Sequence, residues 1–251
     1  MIISHAEEMN PTRRNTMEDV CRVHDFGFDG DENLAYIGVY DGHGGRDIVD
    51  FLETTLERNI AHELKHKGDD GDDLNNNNNL SIPQRLQAAF LLTDIQSRAK
   101  GILTSGATVA SLVIQKRPST NSSSASKRNG SNKRSKSSSS SNSTTGISIY
   151  SANCGDARSV LCKRDMTSES PSYSAIRLSH DHKADDPEEI ARIEQAGGFV
   201  LRGRVLGILA VARSLGDHGM KDFVVSEPFV SATNVNVEDD EEAVFVICAC
   251  D

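Results

Sequence analysis

The chain has 251 residues, no Trp, five Cys, and 27 Lys plus Arg against 37 Asp plus Glu, for a formal net charge of −10. That length suits one large domain or two small ones around a buried core, and no run of 18 apolar residues occurs, which excludes a membrane-spanning helix. Residues 1–11 carry Glu7 and Glu8 and no apolar stretch, which argues against a secretory leader and predicts reduced thiols.

In chain order, the first strand pattern is residues 34–40, a short apolar run bounded by turn residues. After Gly44 and Gly45, Ile48, Leu52, Leu56, Ile60 and Leu64 recur every four residues and predict a long amphipathic helix. Residues 65–79, with GDDGDD and five Asn, hold too few apolar side chains to offset chain entropy and read as a disordered surface insertion. Ile82, Leu86, Ala89, Phe90 and Thr93 then form a second helical face. Strand patterns at 107–114 and 147–152 flank a second insertion, residues 116–145, and resemble a hairpin with an expanded loop. A strand follows at 159–162. The third helix announces its ends: Asp186 as N-cap, Pro187 at the first position, Glu189 at capping-box spacing, and Gly197 as the stop. The last strand pattern is 243–250.

Strands in neighbouring runs with helices between pairs of them predict a layered α+β domain with antiparallel sheets. A doubly wound parallel sheet is the alternative, although neither GxGxxG nor GxxxxGK[ST] occurs. Charge is unevenly divided. Residues 116–145 hold seven basic side chains, no acidic ones and 13 Ser, so the rest of the chain has 20 basic against 37 acidic residues, a net of −17. A surface that acidic repels nucleic acid and suits hard divalent cations. Only the Ser/Lys insertion is suited to touch nucleic acid, and its plainer reading is a solvated loop.

Chemistry is concentrated in three places. An apolar strand delivers Asp41, Gly42 and His43 onto a turn that opens a helix, placing a carboxylate, a bare carbonyl and an imidazole together; an ordinary Asp-Gly turn is the alternative. Arg13 and Arg14 precede Glu18 and Asp19, a pairing suited to a phosphate clasp beside metal-holding carboxylates, or to a solvated charge cluster. The strand 244–250 ends in Asp251, as a ligand or a turn cap. Hard oxygen ligands, one His, one Arg and no activated side-chain nucleophile suit a two-metal site acting on a phosphate ester. Cys-based phosphatase chemistry needs an Arg six positions after the Cys, where Gly27, Val160 and Ser168 stand instead.

RRNTMED, VYDGHGG, SGATVASLVI, SANCGDARSVL, SHDHKADDPEEIARIEQAGGFV, RVLGILAVARSLGD and ICACD occur in that order. With these motifs the chain resembles the type 2C metal-dependent protein serine/threonine phosphatases over almost its whole length, and fungal-type members in its loop insertion. The resemblance implies a four-layer α-β-β-α sandwich of two antiparallel sheets flanked by helix pairs, as one domain over residues 1–251. It implies two Mn²⁺ or Mg²⁺ ions bridged by Asp41, with the Gly42 carbonyl and Asp251 as ligands and Glu18 and Asp19 holding metal-bound waters. Arg14 would orient the phosphate and His43 would protonate the leaving alkoxide. Asp156 matches a position linked to a weaker third metal, and an Asp in a turn is its alternative reading.

The implied substrates are phosphoproteins, with Thr-phosphorylated signalling kinases suggested by the family. No membrane partner is expected, the chain reads as a monomer, and a cytoplasmic location, extending to the nucleus through the basic insertion, is the expectation. The family's Asp is followed by Gly-x-Trp-Asp and later by an Asp-Asn pair, neither of which is present, so the expected domain is incomplete at its C-terminus. The alternative function is a truncated pseudophosphatase that binds phosphoproteins. His180 and His182 have a zinc-like spacing without a partner motif and are read as structural, as are Cys248 and Cys250. Arg204 and Asp217 receive no catalytic role.

Overall fold

The run from Leu34 to His43 alternates its side chains between two covered faces, and this dictates the architecture around it. In the computed structural model the described residues are 2–9, 16–65, 80–118, 144–167, 170, 172–236 and 241–250. Nine strands occur among them: β1 (Asp19–His24), β2 (Leu34–His43), β3 (Gly106–Pro118), β4 (Thr144–Cys154), β5 (Arg158–Asp165), β6 (Ser172–Arg177), β7 (Leu215–Gly216), β8 (Phe229–Asn236) and β9 (Glu241–Ala249). One sheet has the order β1-β2-β3-β4-β8 with β7 beside β3, and the other has the order β6-β5-β9. Every pairing between these strands is antiparallel, so the parallel alternative is excluded and the fold is α+β.

Two helices, α1 (Asp47–Lys65) and α2 (Ile82–Ala99), cover one face of the first sheet. Ile48, Leu52, Leu56 and Ile60 of α1 are wholly buried with Leu86 and Phe90 of α2 against Tyr36, Tyr40, Val109 and Val113. Each such side chain contributes about 1.5–3 kcal/mol of burial, whereas helix propensities among ordinary residues differ by at most about 0.7 kcal/mol, so packing holds α1 in place. The opposite face meets the second sheet through Leu112, Ile149, Leu161, Leu178 and Val235. A third cluster gathers α3 (Pro187–Gln195), through Ile193, with Val205, Ala212 and Val224.

Beyond the second sheet, the expected outer helix pair does not occur among the described residues. Phe245 and Ile247 on its outward face are each 53% exposed. Here α3 is engaged in its own cluster and supplies no such layer. No described helix is long and apolar enough to cross a membrane.

Local structure departs from expectation where pairing overrides pattern. β2 does not stop at Tyr40. Asp41, Gly42 and His43 are paired with Thr108, Ala107 and Gly106, and the turn falls at Gly44 and Gly45, whose φ values are 72° and 117°. Strands β1, β6 and β8 carry no apolar strand signature of their own, because their sequences, DVCRVH, SYSAIR and FVSATNVN, are polar on at least one face. At α3, Asp186 accepts from the Glu188 N–H at 2.8 Å, but Glu189 closes no capping box. Its carboxylate turns inward to Arg192 and Arg213, at 2.7 and 2.6 Å, because two guanidiniums are stronger donors than one amide. The stop at Gly197 is a Schellman pair: Gly197 N–H donates to Glu194 O and Gly198 N–H to Ile193 O, both at 2.9 Å.

Both insertions are narrower than their composition suggests. Lys65 closes α1, residues 116–118 extend β3, and residue 144 opens β4, with Lys116 opposite Ile147. Lys116 Nζ also lies 3.7 Å from the Phe26 ring centre, an attraction that favours strand over loop there. Residues 66–79 and 119–143, with most of the basic cluster, lie outside the described residues.

Candidate active site

Antiparallel neighbours point to the same face of a sheet, and Asp19, Asp41 and Thr108 are direct neighbours across β1, β2 and β3. They therefore form one row of oxygen donors on the face turned toward the second sheet. Cys250, just past β9, reaches the same row: one ligand atom each from Asp19, Asp41 and Cys250 lie within 4.8 Å of one another. The Thr108 hydroxyl is buried with no hydrogen-bond partner among the described residues. The Asp19 and Asp41 carboxylates are hard oxygen donors, and the orphan hydroxyl lies one strand from Asp41 where a metal-bound water could meet it, so these residues fit a hard divalent metal. Between the sheets runs a cleft of about 930 Å³ whose lining includes Asp19, Cys250, Val39 and Leu112.

Gly42 lies on the opposite face, against α1. Its N–H donates to Glu18 O at 3.0 Å, and a Cβ there would stand 2.4 Å from that oxygen, so only glycine lets the chain before β1 approach so closely. The Glu18 carboxylate accepts from the Gly45 N–H at 3.1 Å and thereby braces the turn into α1. It is not part of the converging group. Asp156, in the β4–β5 turn, lies apart from that group as well, with Lys183 Nζ at 3.9 Å. Arg14 and Asp251 lie outside the described residues.

His43 follows Asp41 by two residues and so projects from the same face, one row further along. Its Nε2 is 2.7 Å from Asp217 Oδ2. Burial disfavours the charged ring, yet the Asp217 hydrogen bond and charge, with Asp41 and Glu18 beyond, outweigh it and raise the His43 pKa. His182 is opposite in behaviour: burial, aided by Arg213, lowers it to about 4. Its Nδ1 lies 3.2 Å from the Gly155 nitrogen and 3.1 Å from the Gly155 oxygen, and His180 N–H donates to Asn153 Oδ1 at 3.0 Å, so this pair supports the turn carrying Asp156. Burial pushes the Cys154 and Cys248 thiols up to about 12.

No local sequence pattern marks Thr108, Cys250 or Asp217 as neighbours of Asp41 and His43. Thr108 becomes informative only once the β2–β3 register is known. Cys250 shares one face of an apolar strand pattern with Cys248, which in sequence suggests a small packing residue. Asp217 is 174 positions from its partner, and no local pattern connects them.

The family model for protein phosphatase 2C matches residues 4–251. Protein phosphatase 2C homolog 1 of Saccharomyces cerevisiae is 33% identical over 252 residues, covering 98% of this chain and 75% of its own length. The homolog 1 of Schizosaccharomyces pombe is 29% identical over 247 residues, with 98% of this chain and 58% of its own length covered. A crystal structure of serine-threonine phosphatase 2C from Toxoplasma gondii shares the fold at a TM-score of 0.59 and 14% identity, over 90% of this chain and 71% of its own. Fold and sequence together define a protein serine/threonine phosphatase. The chain belongs to the protein phosphatase 2C family, whose members depend on Mn²⁺ or Mg²⁺. It spans three quarters of the budding-yeast relative and 58% of the fission-yeast one.

Proposed function

We propose that this chain hydrolyses phosphoserine and phosphothreonine in protein substrates at a centre of two Mn²⁺ or Mg²⁺ ions. The observation that carries the reading is the row of Asp19 and Asp41 carboxylates with His43 one row beyond, on the same face. Asp41 and Asp19 would hold the ions, with the Gly42 carbonyl and Asp251 as further ligands, while Glu18, whose carboxylate accepts from the Gly45 N–H, would act from the edge of the site by bracing the turn after His43. When bound, the ions lower the pKa of a water and offset the negative charge of the phosphoryl group. Arg14 orients the phosphate, and His43 passes a proton to the departing seryl or threonyl oxygen. The net of −17 outside residues 116–145 supports the reading, because clustered carboxylates repel until a dication neutralises them.

The test is phosphate release from a phosphothreonine peptide by the purified chain, with millimolar Mn²⁺ and against an EDTA blank. Turnover is expected only with metal. Replacing outer partners of a metal typically costs ~10–100-fold, so Asp41→Asn should lose at least about 100-fold while keeping its circular dichroism spectrum. Metal-independent peptide binding without turnover would instead identify a phosphoprotein-binding regulator.

A further inference from the structure

We propose that Asp217 is a positioning residue for His43: it holds the ring nitrogen Nε2 so that Nδ1 is the nitrogen that delivers the proton to the leaving group. This rests on the general-acid reading of His43 and adds a residue to it. The contact is built from several sides. Asp217 Oδ2 stands 2.7 Å from His43 Nε2 and accepts from Ser214 Oγ at 2.5 Å, with only 9% of the Asp217 side chain exposed. Its own N–H donates to Ser105 O at 3.0 Å, which fixes the backbone of Asp217 to the residue just before β3.

Gly106 is the independent sign that the sequence accommodates this pair. It is opposite His43 in β3 and opposite Gly216 in β7. A Cβ there would lie 2.0 Å from Asp217 Oδ2 and 2.5 Å from His43 Nε2, so the imidazole and carboxylate meet over the space that glycine leaves open. The turn is also anchored from behind. Buried Asp94 of α2 accepts from the Gly216 N–H at 2.9 Å and from Lys221 Nζ at 3.0 Å, bracketing Asp217 on both sides. Asp217 has φ 48° and ψ 39°, a left-handed conformation that Asp and Asn tolerate better than most residues.

In the reaction, water supplies an oxygen to phosphorus and gives up a proton to solvent, and the P–O bond to the seryl or threonyl oxygen breaks. The electron pair stays on that oxygen, which takes the proton from Nδ1. The neutral ring keeps Nε2–H on Asp217 and regains its Nδ1 proton from solvent. Asp217 is neither substrate-binding nor proton-donating in this scheme. Without it the ring can rotate or present the other nitrogen.

The experiment compares the full chain with Asp217→Asn, Asp217→Ala, Gly106→Ala and His43→Ala, with Mn²⁺, on a phosphothreonine peptide and on p-nitrophenyl phosphate, whose leaving group needs no proton. General-acid contributions are typically ~10²–10⁴-fold, and a mispositioned acid should forfeit part of that. Asp217→Asn, which preserves shape and the left-handed backbone, should therefore lower kcat on the peptide about 10–100-fold, with KM within about twofold and less than about threefold loss on the aryl ester. Added to His43→Ala, it should cost nothing more. Equal losses on both substrates, or additive losses in the double variant, would overturn the role of Asp217. Equal losses on both substrates for His43→Ala itself would sink the general-acid reading first, and the two failures are thereby told apart. A readout independent of turnover is the long-range ¹H–¹⁵N spectrum of the metal-free chain at fixed pH. The Nε2–H tautomer of neutral His43 should dominate in wild type and give way to a mixture in Asp217→Ala; identical ring spectra would contradict the proposal.

Discussion

At His182 the fold holds a neutral imidazole in a position from which water is excluded. The side chain is buried, its Nδ1 lies against the Gly155 peptide, and burial with the nearby Arg213 lowers its pKa from 6.5 to about 4. Because the folded value is below the unfolded one, the unfolded chain takes up the proton first as pH falls. The contribution of His182 is complete above pH 6.5 and is lost between there and about pH 4. A shift of that size corresponds to roughly 3 kcal/mol. Urea unfolding at pH 7, 5.5 and 4.5 should show the wild type losing on the order of 2–3 kcal/mol more than His182→Gln over that window. Parallel pH profiles for the two would show that His182 is not held neutral. The HxH spacing, which suits zinc on paper, serves the turn that carries Asp156. A sequence cannot reveal this, since the peptide that His182 packs against, Gly155, is 27 positions away and the burial is set by the fold.

At the level of the element, α3 shows how far local signals reach. Its N-cap, first-turn proline and glycine stop follow from residues in contact along the chain, and all three form as the local chemistry requires. Glu189 obeys a different rule, because its partners Arg192 and Arg213 come from the next turn and from a distant loop, and its side chain is only 3% exposed. Breaking a buried ion pair by removing one partner costs about 3–5 kcal/mol, since guanidinium charge is left uncompensated. Glu189→Ala should lower the denaturation midpoint accordingly. Glu188→Ala, on the exposed side of the same turn, should cost no more than about 0.5–1 kcal/mol. A similar cost for both would show that the Glu189 network is solvent-screened.

Across the whole molecule, stability depends on two separate apolar layers meeting at the first sheet. Leu112 is fully buried in the layer between the sheets, with Ile149, Leu161 and Val246 around it. Leu112→Ala should cost about 2–5 kcal/mol, or a fall of roughly 5–15 °C in Tm for a chain of this size. Ile208, 63% exposed, should tolerate the same truncation within about 0.5 kcal/mol. If Leu112→Ala proved equally mild, the two sheets would not be packed as described. The row of Asp19, Asp41 and Thr108 is at the polar margin of this layer: Ile37 and Val39 point inward on the face from which Asp41 and His43 project further along the same strand.

The sequence by itself determined α1 and α2 through their four-residue periodicity, the ends of α3, the hairpin around the Ser/Lys insertion, and the family through the order of its motifs. Periodicity and caps are contacts between near neighbours, so they are written in adjacent residues. Tertiary structure decided that β1, β6 and β8 are strands, because their pairing partners supply what their own polar sequences lack. It also decided that Thr108 and Cys250 stand beside Asp41, and that Asp217 meets His43. Each of those juxtapositions is set by strand register and by chain segments tens to hundreds of residues apart, for which no local pattern is required.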